Sequence, residues 1–343
     1  MRSREELVKV LGAPLGDLAT DEALFAGAAE VRDRTVGRRV YLRGLIELSN
    51  RCRKNCLYCG IRSGNGRAER YELTDGEVLE AARGAWRAGY GSVVIQAGER
   101  TDGAFVERVE RLVEEIGRMS EGKLGITLSL GEQTAEVYRR WYRAGAHRYL
   151  LRIEASSPVL YGRLHPADHR YERRVACLEA LRETGYQVGT GVMIGLPFQR
   201  VEDLADDLLF FRRMDIDMCG MGPYIEHPQT PLAGVRSEFT REERLQLALR
   251  MIALLRLEMP DINIAATTAL HALHPRGREL GVAAGANILM PNVTPEVVRG
   301  NYRLYEGKPA EDTDLSGFRT VPDGAWGDAP HYASRREAAK SEE

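Results

Sequence analysis

The chain has 343 residues, 43% of them hydrophobic and 29% charged, enough for one large domain with a sizeable core or for two small ones. A formal net charge of -2 and a pI near 6.4 imply no basic face for nucleic acid or an acidic membrane, so neither is expected as a partner. No run of about 18 apolar residues occurs, and the amino terminus lacks an apolar core of signal-peptide length, so a soluble cytoplasmic enzyme is expected.

In chain order, DEALFAGAAEVRDRTV places Leu24, Phe25, Ala28, Ala29 and Val31 three to four residues apart, which predicts a helical extension over residues 1–39. Short apolar runs then alternate with longer amphipathic stretches. The runs are VYLRGLIELS, SVVIQAG, LGITLSLG, RYLLRIEA, QVGTGVMIGLP, DMCGMGPYI, INIAATT and ANILMPN. Between them lie helix candidates such as TDGEVLEAARGAWRAG, opened by Thr74 with Glu77 three residues on, and EQTAEVYRRWYRAG, closed by Gly145. Eight strand–helix repeats predict an α/β chain folded as a (β/α)8 TIM barrel over residues 40–305, with an open doubly wound sheet as the alternative. From Glu306 to Glu343 the alternation is lost and charge, Gly and Pro accumulate, which predicts an irregular tail with a mobile end.

The first βα loop carries the chemistry. Residues 48–62, LSNRCRKNCLYCGIR, put Cys52, Cys56 and Cys59 at C-x3-C-x2-C; Cys177 and Cys219 stand alone and read as buried, inert thiols. Five cysteines in this pattern fit a reducing compartment better than a disulfide framework. Structural zinc needs a closed shell of four ligands, and no fourth Cys or His stands near in sequence. A thioredoxin-like pair would use Cys56 and Cys59 and leave Cys52 without a role. A [4Fe-4S] cubane held by three cysteines keeps one iron open for a ligand, and the first loop at the barrel mouth is where barrel enzymes keep their chemistry.

With an aromatic residue before its last cysteine and this strand context, the motif resembles the radical S-adenosylmethionine (SAM) superfamily. That resemblance implies a [4Fe-4S] cluster on Cys52, Cys56 and Cys59, whose open iron chelates SAM and whose electron cleaves it to methionine and a 5′-deoxyadenosyl radical. It further implies cofactor-binding roles for Tyr58 at the adenine, for Gly98 and Glu99 in a Gly-Gly-Glu-like element at the amino group, for Glu154 at the ribose or amino end, and for Arg174 at the carboxylate. On the fourth strand, alternation puts Arg148, Leu150, Arg152 and Glu154 on one face, where either ligands or an internal Arg–Glu ion pair would answer the cost of burial.

The ordered set VIQAGE, ITLSLGE, AGAHRYLLRIEASSPVLYGRLHP, DMCGMGPYIEHPQTPLA, NIAATTAL and GANILMPNVTP, from about Val40 to Lys308, resembles the HydE family of [FeFe]-hydrogenase maturases. Methylornithine synthase (PylB) and biotin synthase share much of this frame. The HydE resemblance implies an organometallic iron–cysteine substrate, Fe(CO)2(CN)-cysteine, whose sulfur the deoxyadenosyl radical attacks, with companion maturases and an electron donor as partners. It implies a substrate cavity with Arg148, Arg152, Thr267, Thr268, Gln96, Thr127, Tyr302 and Met193. Gly189 and Gly191, on Met193's strand, would leave volume inside or serve close packing. An iron–sulfur scaffold without SAM cleavage, or a PylB-like lysine mutase, is the alternative.

Overall fold

In the computed structural model, which describes residues 1–16, 18–309, 315, 318 and 320, the eight apolar runs supply eight parallel strands. They are β1 (Tyr41–Ser49), β2 (Ser92–Ala97), β3 (Gly125–Ser129), β4 (Arg148–Leu150), β5 (Gln187–Thr190), β6 (Met218–Cys219), β7 (Asn263–Ile264) and β8 (Ile288–Leu289). Their order around the sheet is β8, β1, β2, β3, β4, β5, β6, β7. A parallel bridge from Ala265 to Ile288, with Ala266 N–H on the Ile288 carbonyl at 3.0 Å, joins the two edges. The sheet therefore closes as a (β/α)8 barrel rather than an open doubly wound sheet. The last strands are short at both rims, and Met193–Ile194 pairs separately with Gly222–Pro223 above β5 and β6.

Several helices begin where a side chain can satisfy a free amide of the first turn. Asp75–Arg87, which follows β1, is opened by a reciprocal Thr74–Glu77 capping box, and Arg241–Glu258 by Thr240 with Glu243. Ala135–Ala144 ends at Gly145, whose φ of 121° suits glycine. Before the barrel, α1 (Arg4–Leu11) packs on Val201–Arg213, and α2 (Glu22–Thr35) on Arg241–Glu258. Asp21 anchors this extension by its 2.7 Å pair with fully buried Arg250. At the other end, Lys308 reaches the buried Glu47 carboxylate of β1 and donates to the Tyr302 carbonyl at 3.0 Å, which ties the chain after the barrel back onto it. Beyond Pro309, apart from residues 315, 318 and 320, the expected irregular tail lies outside the described residues. Among the described residues no helix is long and apolar enough to cross a membrane.

One buried acid sets a testable pH dependence. Asp207, on Val201–Arg213, accepts Ser156 N–H through Oδ1 at 2.7 Å, while Oδ2 is buried without a partner, and burial pushes the carboxyl up to about 7. Because the folded pKa exceeds the unfolded one, wild type loses stability as pH rises from about 3.8 to about 7 and no further above that, at roughly 1.4 kcal/mol per unit. Asp207→Asn keeps the acceptor for Ser156 and removes the ionisation. Its melting temperature is expected to exceed that of wild type at neutral pH and to converge on it near pH 4; a gap constant across that range would count against a buried ionising carboxyl.

Candidate active site

The cysteine loop leaves β1 at Ser49 and is held by backbone bonds rather than by secondary structure. Arg53 N–H meets the Glu99 carbonyl at 2.9 Å, Leu57 N–H the Leu164 carbonyl at 2.9 Å, and Gly60 N–H the Leu304 carbonyl at 2.9 Å. Cys52, Cys56 and Cys59 are all free and partly buried. Burial pushes each thiol up, Cys56 to about 12, and Cys59 is raised further by Cys56 and Cys52, so the three sulfurs share one electrostatic neighbourhood. Two glycines make the approach possible: a Cβ on Gly98 would stand 2.4 Å from the Arg51 carbonyl, and one on Gly60 2.1 Å from that of Arg303. Among the described residues no group of three or more His, Cys, Asp or Glu could hold a single metal ion. A cubane attaches each cysteine to a different iron, so its donors converge on a cluster and not on one point. Three free thiols on one loop at the barrel mouth, close enough to act on one another electrostatically, are a donor set of that kind, and they fit the group.

Tyr58 is anchored rather than free. Its hydroxyl lies 3.3 Å from His165 Nε2, the rings meeting edge-on at 5.5 Å, while His165 Nδ1 faces the Tyr161 carbonyl at 2.9 Å. Burial holds His165 down at about 3, so its ring is neutral at ordinary pH. Met193 packs against the same apolar cluster as Tyr58, with Leu160, Leu164, Leu196, Tyr224 and Leu232.

Beside the loop runs a buried network of alternating charge. Glu99 Oε1 pairs with Arg53 at 3.0 Å and Lys54 at 3.6 Å, and Oε2 accepts Glu132 N–H at 2.8 Å. Glu132 in turn meets Lys54 at 2.9 Å, Arg174 at 2.7 Å and exposed Arg173 at 3.2 Å. Burial alone would raise the Glu132 carboxyl, but Arg174 and Lys54 outweigh it and hold it at about 2. Arg174, in the helix Tyr171–Thr184, spends Nε on Glu132 and one terminal nitrogen on the Arg152 carbonyl, which leaves its other terminal nitrogen for a ligand. Glu132 and Lys54 were missed by sequence reasoning. A signal existed: Gly98-Glu99 ends the β2 run and Gly131-Glu132 the β3 run, the same pair at adjacent strand ends. Gly131 has φ of 78°, and a Cβ there would stand 2.5 Å from the Glu99 carboxylate.

On the fourth strand the structure departs from simple alternation. β4 ends at Leu150, and Glu154 takes φ of 66°, locked by Glu154 N–H on the Gly191 carbonyl at 3.0 Å and Met193 N–H on the Glu154 carbonyl at 3.1 Å. Arg152 and Glu154 form a close ion pair, Nη2 to Oε2 at 2.9 Å, which is the internal pair named above as the non-ligand possibility. Arg148 lies fully buried deeper in the barrel with Nε on Gln187 Oε1, and β3 places Thr127 beside it in register. Thr127 Oγ1 is buried and makes no hydrogen bond to the protein. Gln96 and Tyr302 touch through their side chains. Thr267 and Thr268 sit past the end of β7, at the cap and first turn of the helix Thr268–Leu273; Thr267 Oγ1 donates to the Met221 carbonyl at 3.3 Å, and Thr268 Oγ1 accepts from Arg278 at 3.5 Å. The volume expected at Gly189 and Gly191 is filled: a Cβ would meet Met218 at 2.4 Å and the Gly220 carbonyl at 2.2 Å. The glycines serve close packing. Cys177 and Cys219 are buried, Cys177 against the Gln133 carbonyl at 3.7 Å. A polar cleft of about 400 Å³ opens next to the cysteine loop, lined by Gly60, Asn65, His227, Tyr302, Arg303 and Lys308 among others.

Comparison with known proteins agrees with this geometry. The family described as the radical SAM superfamily matches residues 46–211. The chain is 46% identical over 308 residues to the [FeFe] hydrogenase maturase subunit HydE of Thermotoga maritima, covering 89% of this chain and 84% of that protein. To 3-methylornithine synthase of Methanosarcina barkeri it is 29% identical, over 86% of this chain and 79% of that one. Among solved structures, methylornithine synthase (PylB) superposes with a TM-score of 0.74 at 26% identity, covering 98% of this chain and 93% of that chain. HydG, a maturase of the [FeFe]-hydrogenase, superposes at 0.73 with 20% identity over 94% of this chain and 69% of that one, a likeness of fold alone.

Proposed function

The chain belongs to the HydE family of the radical SAM superfamily, and from that premise we propose that it is a radical SAM enzyme of [FeFe]-hydrogenase maturation, acting on an Fe(CO)2(CN)-cysteine precursor of the diiron subcluster. The observation that carries this reading is the presence of three free, partly buried cysteines in the first βα loop beside a buried carboxylate–cation network. The 46% identity to HydE against 29% to 3-methylornithine synthase favours the maturase over the lysine mutase.

In this reading Cys52, Cys56 and Cys59 would hold a [4Fe-4S] cluster, with SAM as its ligand. When bound, the cluster supplies the electron that cleaves SAM to methionine and a 5′-deoxyadenosyl radical. The protein's own residues then divide the work. Tyr58, fixed by His165, would support the adenine. Gly98 lets the chain after β2 press against Cys52, so that Glu99 stands beside the cluster loop, where it would meet the SAM amino group. Glu154, pinned by Arg152, would take the ribose or amino end, and the uncommitted terminal nitrogen of Arg174 would take the carboxylate. Deeper in the barrel, Arg148 and Thr127 offer positive charge and a hydroxyl without a protein partner to an anionic substrate, with Arg152, Gln96, Tyr302, Thr267, Thr268 and Met193 as the remaining cavity residues. Companion maturases would supply that substrate and take up the product, and an electron donor would reduce the cluster.

Anaerobic reconstitution with iron and sulfide, followed by reduction in the presence of SAM, tests this. The expected products are methionine and 5′-deoxyadenosine, with methylornithine absent when lysine is added. A protein that binds four irons without cleaving SAM would instead be a cluster scaffold, and formation of methylornithine would make it a lysine mutase.

A further inference from the structure

His169 stands 113 residues from Cys56 in the chain, yet its Nδ1 lies 4.0 Å from Cys56 Sγ, at the long end of N–H···S contact. The imidazole is fixed and nearly closed off from solvent. It follows the helix Pro158–Leu164 in a turn closed by His169 N–H on the Pro166 carbonyl at 2.9 Å, and its side chain is 5% exposed. Its other nitrogen, Nε2, points toward Asp168 at 3.8 Å, an exposed carboxylate.

From this placement we infer that His169 is a positioning residue for the cluster, donating an N–H···S hydrogen bond from Nδ1 to the Cys56 sulfur and thereby raising the cluster's reduction potential. The inference rests on the reading of Cys56 as a cluster ligand. A cysteine bound to iron is a thiolate, carries no hydrogen and can only accept, so a hydrogen bond here requires the proton on Nδ1 rather than on Nε2, whose neighbour Asp168 is exposed and 3.8 Å away. The neighbouring His165 cannot take this part, because its Nδ1 faces the Tyr161 carbonyl and its Nε2 the Tyr58 hydroxyl. Lys54 and Arg174 also bring positive charge to the site, and Arg174 acts on the Cys56 thiol through space, but the hydrogen bonds these cations make go to Glu132 and, for Arg174, to the Arg152 carbonyl. Among the described residues His169 is thus the histidine whose ring nitrogen faces a cysteine of the loop. A hydrogen bond to a ligating sulfur withdraws charge from the cluster and stabilises its reduced form, one of the recognised determinants of cluster potential. The consequence is specific to the electron-entry step: the cluster accepts an electron from a weaker donor than it would without His169.

The test compares reconstituted wild type, His169→Leu and His169→Asn by EPR-monitored potentiometric titration of the reduced cluster. Asn presents an N–H near the place of Nδ1, so it keeps the donor while Leu removes it. The expected result is a midpoint shifted to more negative potential in His169→Leu, with His169→Asn close to wild type. A Leu midpoint equal to that of wild type overturns the inference, and so does an Asn midpoint displaced as far as that of Leu, which would mark a packing role. Should His169→Leu fail to load iron, the wild-type protein labelled with 15N-histidine decides: pulsed EPR of its reduced cluster is expected to show a weak histidine nitrogen coupling, and its absence refutes the bond. If wild type assembles no [4Fe-4S] cluster at all, the assignment of Cys56 as a ligand fails first and the role of His169 with it.

Discussion

Cys56→Ala is expected to abolish the [4Fe-4S] EPR signal after anaerobic reconstitution and to reduce 5′-deoxyadenosine formation to the level of a control without enzyme. Three cysteines are the whole thiolate supply of the loop, and Cys177 and Cys219 are buried elsewhere in the barrel scaffold, so no spare thiol can take the vacated iron. The fold itself should survive. Cys56 is partly buried in a loop held by backbone bonds at Arg53, Leu57 and Gly60, and losing one sulfur there costs no more than an ordinary small truncation, about 1 kcal/mol. Cys177→Ala supplies the contrast, because it removes a more deeply buried thiol outside the loop and is expected to leave iron loading unchanged. Loading is read by iron and sulfide content per chain and activity by product analysis, so loss of cluster and loss of fold are separated by a thermal melt. Retention of four irons and of SAM cleavage in Cys56→Ala would exclude this cysteine as a ligand and reopen the chemistry of the whole loop.

The barrel was legible because its signal is redundant: eight apolar runs alternating with longer stretches, some with their own caps, state one topology many times over. The site was legible only where local spacing carries it. The cysteine motif and the Gly98-Glu99 pair follow strands directly, so position along the chain is position at the mouth. The face of the fourth strand was harder, because alternation holds only while the backbone stays extended, and Glu154 turns to positive φ. Arg152 and Glu154 therefore meet as a pair instead of standing side by side along one face. Gly189 and Gly191 were open to two readings for a related reason: absence of a side chain signals either space or close approach, and only the neighbours, Met218 and Gly220, decide. His169 and Lys308 were not legible at all, since each meets its partner, Cys56 and Glu47 respectively, through contacts more than 100 residues apart in the chain.

Glu132→Gln is expected to produce the second large effect, on stability and SAM affinity together. The carboxylate is the common anion of Lys54, Arg174 and Arg173, and neutralising it leaves two buried cations facing an amide. Removing one partner of a buried charge pair costs roughly 3–5 kcal/mol; exposed Arg173, screened by solvent, adds little to that figure. The pH dependence identifies the cause. Glu132 is held at about 2 in the folded protein against 4.5 when free, so its stabilisation is complete above about pH 4.5 and is lost as pH falls toward 2. The difference in melting temperature between wild type and Glu132→Gln should accordingly be full at pH 7 and shrink below pH 4.5. A difference that stays constant into acid would mean that shape, not charge, is what the variant disturbs. Affinity for SAM is expected to fall at least about tenfold, equivalent to about 1.4 kcal/mol, because Arg174 is aimed by its bond from Nε to Glu132 and offers a ligand carboxylate only the nitrogen that remains. Stability lost with SAM affinity intact would assign Glu132 to the scaffold alone and transfer recognition of the carboxylate to another cation of the loop, of which Arg53 and Lys54, both paired with Glu99, stand nearest in the same network.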